Sequence, residues 1–230
     1  MHKMATDKHK DYYLFFDTET TGLPKRYNSP SSDTDNWPRM VQLSWIMADE
    51  KGTEVSTGNY IIQPVGFSIP KEASDINGIT TARAMAEGES LCYVMDRFMS
   101  DLDDARTIVG HNVEFDIKVV GAEMIRLGRE DVVGKKPFVC TMKASTDFCK
   151  LHGKHGYKWP RLEELHRKLF HRGFRGAHDA MSDVGATLRC FFELKRLGII
   201  KDGENLASEP YDGHKYVDLG LRSSARSAST

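Results

Sequence analysis

The sequence predicts an α/β fold in which helices flank one central mixed sheet of five strands. Three observations lead there. An apolar run, Tyr12 to Phe16, reads as a strand buried on both faces. Two further apolar segments, 40–49 and 54–64, are separated only by Glu50-Lys51-Gly52-Thr53, a hairpin signal that makes them antiparallel neighbours. After residue 88 the pattern alternates helix, strand, helix, strand, which builds parallel neighbours on the same sheet.

The elements follow in chain order. The first strand covers 12–17. Residues 24–38, PKRYNSPSSDTDNWP, form a polar Pro/Ser/Asp loop, long enough to be functional or mobile. The hairpin strands come next. Apolar residues at 91, 94, 95, 98 and 102 have helical spacing within 88–102. Residues 106–110 are a short strand. Val113, Ile117, Val120, Met124 and Leu127 mark a helix over 113–127, stopped by Gly128. Residues 138–141 are a fifth strand, and helices follow at 161–170 and 180–197, the last closed by Gly198. We expect one domain over residues 1–200 and a C-terminal tail over 201–230. The tail has few apolar anchors, and its last ten or so residues are expected to be disordered.

Bulk properties exclude several function classes. With 40% hydrophobic and 28% charged residues, a sizeable core can form. The net charge of −1 argues against adhesion to nucleic acid by overall positive charge but leaves room for a local basic groove. No apolar run approaches a membrane span, and the N-terminus is polar, without the apolar region of a signal peptide. The four cysteines, Cys92, Cys140, Cys149 and Cys190, form no CxxC pair and read as buried reduced thiols of a cytoplasmic protein.

The chemistry-bearing residues sit at element ends. Asp17 and Glu19 are two apart on an extended segment, so their side chains share one face at the end of a buried strand. Two adjacent carboxylates repel, and only a shared proton or a cation offsets that. A plain turn at Thr18 to Gly22 would also account for them. In GHNVEFD, Asn112 suits a helix N-cap and Asp116 falls in the first turn. An acid there also suits the helix dipole. His111 and Asn112 add hydrogen-bonding groups at the same rim. In GAHDAMSD, Asp179 suits an N-cap, which leaves His178 in the preceding loop and Asp183 in the first full turn. Four carboxylates carry four negative charges, which two divalent cations balance. Oxygen-only ligands select Mg²⁺ or Mn²⁺ over zinc.

These motifs resemble one known family. Phe16 to Gly22, His111-Asn112 through Phe115-Asp116, and His178 through Asp183 are similar to the three motifs of the DEDDh, DnaQ-like 3′–5′ exonucleases, which have the ribonuclease H-like fold. The resemblance covers roughly residues 12–197. It implies that Asp17, Glu19, Asp116 and Asp183 hold two divalent ions and that His178 is the general base. It implies hydrolysis at the 3′ end of single-stranded DNA or RNA, releasing nucleoside 5′-monophosphates. Thr20 and Thr21 would offer donors beside the metals, and Leu23 would pack on the terminal base. Asn77-Gly78-Ile79-Thr80 resembles a segment that often reads His-Gly-Ile-Thr and borders the terminal nucleotide; the asparagine is a departure. For Leu23 and Ile79, ordinary packing is an equal alternative. With Thr20, Thr21, His111 and Asn112 they complete the expected substrate-binding set.

Residues 153–176 carry seven Lys/Arg against two Glu, with Tyr157, Trp159, Phe170 and Phe174 interleaved. Such a stretch suits a single-stranded backbone and stacked bases. Lys154, Lys158, Arg172 and Arg175 are its candidate contacts. Two other readings compete with an exonuclease. One is a silent ribonuclease H-like module that binds nucleic acid or a polymerase; such modules normally lose a carboxylate, and here all four acids and the histidine stand. The other is a metallohydrolase for small phosphate esters, which would need more histidines. A polymerase-proofreading role, free-standing repair and RNA trimming all remain open, as does the oligomeric state.

Overall fold

A computed structural model describes residues 12–154, 156–176 and 179–201. The tail beyond Lys201 and His178 lie outside the described residues. The elements are β1 (Tyr12–Thr20), β2 (Met40–Ala48), β3 (Glu54–Ile61), α1 (Lys71–Asn77), α2 (Thr81–Glu87), α3 (Leu91–Asp104), β4 (Ala105–Gly110), α4 (Val113–Arg126), β5 (Phe138–Cys140), α5 (Thr141–Ala144), α6 (Thr146–Cys149), the two-residue strands β6 (His152–Gly153) and β7 (Gly156–Tyr157), α7 (Leu162–Phe170) and α8 (Ala180–Arg196). The main sheet has the order β3-β2-β1-β4-β5. β1 pairs antiparallel with β2 and parallel with β4, so the sheet is mixed, as the sequence predicts. The hairpin turn is closed by Asp49, whose N–H donates to Thr53 O at 3.0 Å and whose Oδ1 accepts from Lys51 N and Thr53 N.

Side-chain alternation along β1 sorts the two layers. Leu14 and Phe16 join one core cluster, with Phe98 of α3 and with Val113, Ile117 and Val120 of α4. Phe15 joins the other, with Val184, Cys190, Phe191 and Leu194 of α8. Even-numbered positions of β1 therefore face α3 and α4, and odd-numbered positions face α8. At Gly58 of β3 an added Cβ would lie 2.2 Å from the Trp45 ring, so the absence of a side chain lets that indole lie flat across the hairpin. The indole N–H then donates to Asp101 Oδ2 at 2.6 Å.

The structure corrects several sequence expectations. α1 and α2 lie in a segment that carried no helical signal, because each helix has seven residues and buries one alanine, Ala73 or Ala84. The strand expected over 54–64 stops at Ile61. Cys92 is exposed; the other three thiols are buried, and all four are free. The 24–38 loop forms no helix or strand, yet it is tied down. Trp37 Nε1 donates to Pro30 O at 3.0 Å, and Arg126 Nη2 donates to Thr34 O at 2.5 Å and Trp37 O at 2.7 Å. No helix among the described residues is long and apolar enough to cross a membrane.

Candidate active site

β1 supplies the first two acids. Asp17 and Glu19 occupy odd-numbered positions and so face the α8 layer, where Asp183 stands in the first turn of α8. Oxygen atoms of Asp17, Glu19 and Asp183 lie within 4.8 Å of one another. Asp179 caps α8, as the sequence predicts: its Oδ2 accepts from Ser182 N at 3.1 Å and from Ser182 Oγ at 2.8 Å. Its charge also reaches Asp17 and Glu19, a neighbour that the helix-cap reading did not include.

Asp116 comes from the opposite layer. Gly110 permits the tight exit from β4, since a Cβ there would lie 2.7 Å from the Val113 side chain. Asn112 then takes the left-handed conformation (φ 68°), which asparagine tolerates better than most residues. Asn112 thus stands at the N-cap position as expected, but its side chain makes no capping bond. α4 starts at Val113 and presents Asp116 to Thr18, an even-numbered residue of β1. Asp116 Oδ1 accepts from Thr18 N at 3.0 Å and from Thr18 Oγ1 at 2.6 Å. Asp116 is 4% exposed and does not belong to the 4.8 Å trio. The four acids thus resolve into a trio on one face and a fourth carboxylate tethered through Thr18. The sequence reading missed Thr18; its alternation with Asp17 and Glu19 was the available signal.

The electrostatics favour protonation or a cation. Burial pushes the Asp17 carboxyl well above its ordinary range, and the charges of Asp116, Asp183, Glu19 and Asp179 push it further. Burial, then Asp183, Asp116 and Asp179, raise Glu19 to about 8, against a hydrogen bond from the Asn77 side chain that lowers it. Burial raises Asp116 to about 7, opposed by its two bonds from Thr18. A closely set group of carboxylate oxygens with raised proton affinity fits a hard divalent cation such as Mg²⁺ or Mn²⁺. Beside the acids, Ser44 pairs with Asp17 and Gln42 with Glu19 across the ladder. Ser44 Oγ and Gln42 Nε2 both donate to Asn59 Oδ1, at 2.8 and 2.9 Å, which makes a polar stripe over β2 and β3.

Several expected substrate contacts have other tasks. His111 is held at both ring nitrogens, Nδ1 with Thr141 Oγ1 at 3.0 Å and Nε2 with Pro160 O at 3.0 Å. The carbonyl can only accept, so Nε2 carries the proton. Burial lowers this histidine to about 4, so it is neutral at ordinary pH and pins the segment before α7. Ile79 is 1% exposed and packs with Val41, Ile69, Ala73 and Ala84, which places it in the core. Thr20 Oγ1 donates to Gly22 O at 2.6 Å, and Thr21 N donates to Arg39 O at 2.9 Å, so these donors close the turn after β1. Leu23 is 43% exposed beyond that turn.

In the basic stretch, Lys158 is neutralised by Glu164 (2.8 and 2.9 Å) and Trp159 is buried. Phe170 and Phe174 pack at a tilt against the His166 ring. Lys154, Arg172 and Arg175 are exposed, as is Tyr157. Lys154 and Lys158 line a cleft with His152, and a second cleft lies between Lys51, Phe170 and Phe192; neither is lined by the acids.

Comparison with known proteins gives a consistent picture. A family model described as Exonuclease matches residues 14–191. The PolC-type DNA polymerase III of Pediococcus pentosaceus is 31% identical over 133 residues, 56% of this chain and 8% of that protein. Its Streptococcus sanguinis counterpart is 26% identical over 180 residues, 78% and 11%. The chain therefore spans about a tenth of these relatives. Among solved structures, the zinc-bound complex of E. coli exonuclease I with single-stranded DNA superposes with a TM-score of 0.65 at 24% identity, covering 82% of this chain and 41% of that one. The same enzyme with a dA16 oligonucleotide gives 0.64 at 22% identity, with coverage of 81% and 41%. These likenesses establish a shared fold: a mixed five-stranded sheet flanked by helices.

Proposed function

The chain belongs to the exonuclease family of DEDDh type, and from that premise we propose that it is a metal-dependent 3′–5′ exonuclease on single-stranded ends. The observation that carries this reading is the trio Asp17, Glu19 and Asp183, with oxygens inside 4.8 Å and Asp116 tethered beside it. Two divalent ions held by these acids would supply positive charge against the scissile phosphate and the departing oxygen.

The chain's own groups do the rest. Asp17 and Glu19, rigid on the central strand, orient the site. Thr18 holds Asp116 in register from the other layer. His178, immediately before Asp179 in the sequence, takes the proton of the attacking water, a general-base role that imidazole suits. The new bond joins the water oxygen to phosphorus as the bond to the penultimate 3′ oxygen breaks, and that oxygen takes a proton from solvent to become the new 3′ hydroxyl. The products are a nucleoside 5′-monophosphate and a strand one unit shorter. The likeness to PolC-type DNA polymerases supports a setting beside a polymerase, and we place the activity in the cytoplasm with proofreading as its role.

The test is an assay of 5′-labelled single- and double-stranded DNA and RNA with Mg²⁺ or Mn²⁺. A ladder that shortens from the 3′ end, with 5′-monophosphates released, is the expected result. No shortening of any oligonucleotide in Mn²⁺ would leave the silent binding module as the better reading. His178→Ala should slow turnover by about 10²–10⁴-fold while Mn²⁺ still binds. Loss of Mn²⁺ binding instead would make His178 a ligand.

A further inference from the structure

We propose that Asn59 is a substrate-binding residue: its amide NH₂, held outward beside the acids, donates to an oxygen of the nucleic-acid strand other than the scissile phosphate. This deepens the nuclease reading above and rests on it.

Strand register sets the place. Asn59 of β3 stands opposite Ser44 of β2, and Ser44 stands opposite Asp17 of β1. Residues directly opposite in an antiparallel pair send their side chains to one face. Asn59 therefore lies on the face that carries Asp17 and Glu19. Neighbouring strands are about 4.8 Å apart, so its backbone is about 10 Å from that of Asp17. At about 3.4 Å per stacked nucleotide, this is within the first few units of a strand that ends at the acids. α8 packs over β1 and β2 on this face. Beyond it Val55, Thr57 and Asn59, alternate residues of β3, are exposed.

Two buried donors fix the amide. Ser44 is 0% exposed and Gln42 is 5% exposed. Ser44 Oγ donates to Asn59 Oδ1 at 2.8 Å, and Gln42 Nε2 donates to the same oxygen at 2.9 Å. A carboxamide oxygen has two lone pairs, and both are taken. The two hydrogens of Nδ2 therefore point away from the polar stripe. Turning the amide over would set donor against donor at Gln42 Nε2. Among the described residues Nδ2 meets no acceptor. A donor whose orientation is fixed before the ligand arrives loses little freedom on binding. It is also neutral. A lysine here would be drawn toward Asp17 and Glu19 and compete with a cation, whereas an amide leaves their charge available. If Asn59 only tied β3 to β2, an aspartate would serve as well, since it offers the same accepting oxygen.

The experiment measures binding of a 5′-fluorescein dT12 oligonucleotide to the full chain by fluorescence anisotropy with Ca²⁺, and shortening of the same oligonucleotide with Mn²⁺. Asn59→Asp keeps the acceptor for Ser44 and Gln42 and removes the donor. It should raise Kd and KM by about tenfold or more, leave kcat within about twofold and keep the melting temperature near wild type. Asn59→Ala should raise Kd by about three- to tenfold and lower the melting temperature, because Ser44 and Gln42 lose their acceptor. A dT12 analogue with abasic units at its 3′ end separates two sources of the accepting oxygen. The deficit of Asn59→Ala vanishes on it for a base carbonyl and persists for a sugar or phosphate oxygen; either supports the contact. Wild-type Kd in both variants would overturn the inference, whatever their melting temperatures. A loss in Asn59→Asp alone would mark repulsion by the added charge and overturn it too. Weaker binding by both variants of a chain that shortens no oligonucleotide would keep the contact and overturn the nuclease reading instead.

Discussion

Helix α4 carries two buried carboxylates, and they keep opposite electrostatic company. Glu123 is 0% exposed. Its Oε1 accepts from Arg39 Nε at 2.9 Å, from Arg126 Nη1 at 2.9 Å and from Met40 N at 3.0 Å. Asp116, two turns earlier, meets the neutral donors of Thr18 and the charge of Asp183. Arginines closing on Glu123 fasten α4, the start of β2 and the 24–38 loop into one body. The acids gathered near Asp116 instead raise one another's proton affinity, and the oxygens of Asp17, Glu19 and Asp183 lie close enough to suit a divalent cation. Burial alone therefore does not separate a structural acid from a functional one; the sign of the neighbours does.

This contrast can be broken from either side. Asp17→Asn should lower nuclease turnover by about 10³-fold or more, since it removes a ligand from the trio. The same change should raise the metal-free melting temperature, because it relieves repulsion among the acids. Oligonucleotide shortening and thermal denaturation on one preparation read both effects, and normal turnover would end the case for Asp17 as a ligand. Glu123→Ala should do the reverse. Leaving two arginines without their buried partner costs about 3–5 kcal/mol of stability. Turnover per folded molecule should stay near wild type, so denaturant unfolding and the assay separate the two roles.

A gentler probe is pH. Glu19 is raised from 4.5 to about 8 and Asp116 from 3.8 to about 7. Between those limits the folded chain keeps protons that the unfolded chain has shed, so metal-free stability should fall as pH climbs through that window. Mn²⁺ favours the ionised carboxylates, so its stabilisation should grow over the same range. Melting curves with and without Mn²⁺ at pH 5, 6.5 and 8 measure the slope. Parallel curves would show that the acids do not share a cation.

Much of this architecture was legible in the sequence because it repeats. The unbroken apolar run from Tyr12 to Phe16 and the three-and-four spacing from Val113 to Met124 are signals that burial writes into composition. The hairpin at Asp49 to Thr53 was readable from its glycine and its flanking apolar runs. The helix α1 was not, because seven residues with a single buried alanine have no period to read. The order of the 24–38 loop was hidden for another reason: Arg126 reaches it from about ninety positions away. At the site, the acids stood out as acids. Thr18 and Asn77 did not, since a threonine in a strand and an asparagine before a glycine are ordinary in themselves. The two bonds of the His111 ring were not readable, because its partners, Thr141 and Pro160, arrive from elements far along the chain.

The alternation of β1 also bears on how such a chain can vary over generations. Exchanging one apolar residue for another at Leu14 or Phe16 keeps each layer supplied. Inserting or deleting one residue between Phe15 and Asp17 does not. It would carry both acids round to the Phe98 side and swing a threonine toward α8, with every later neighbour exchanged at once. A one-residue change of length in this strand is therefore far more disruptive than an exchange of one apolar side chain for another.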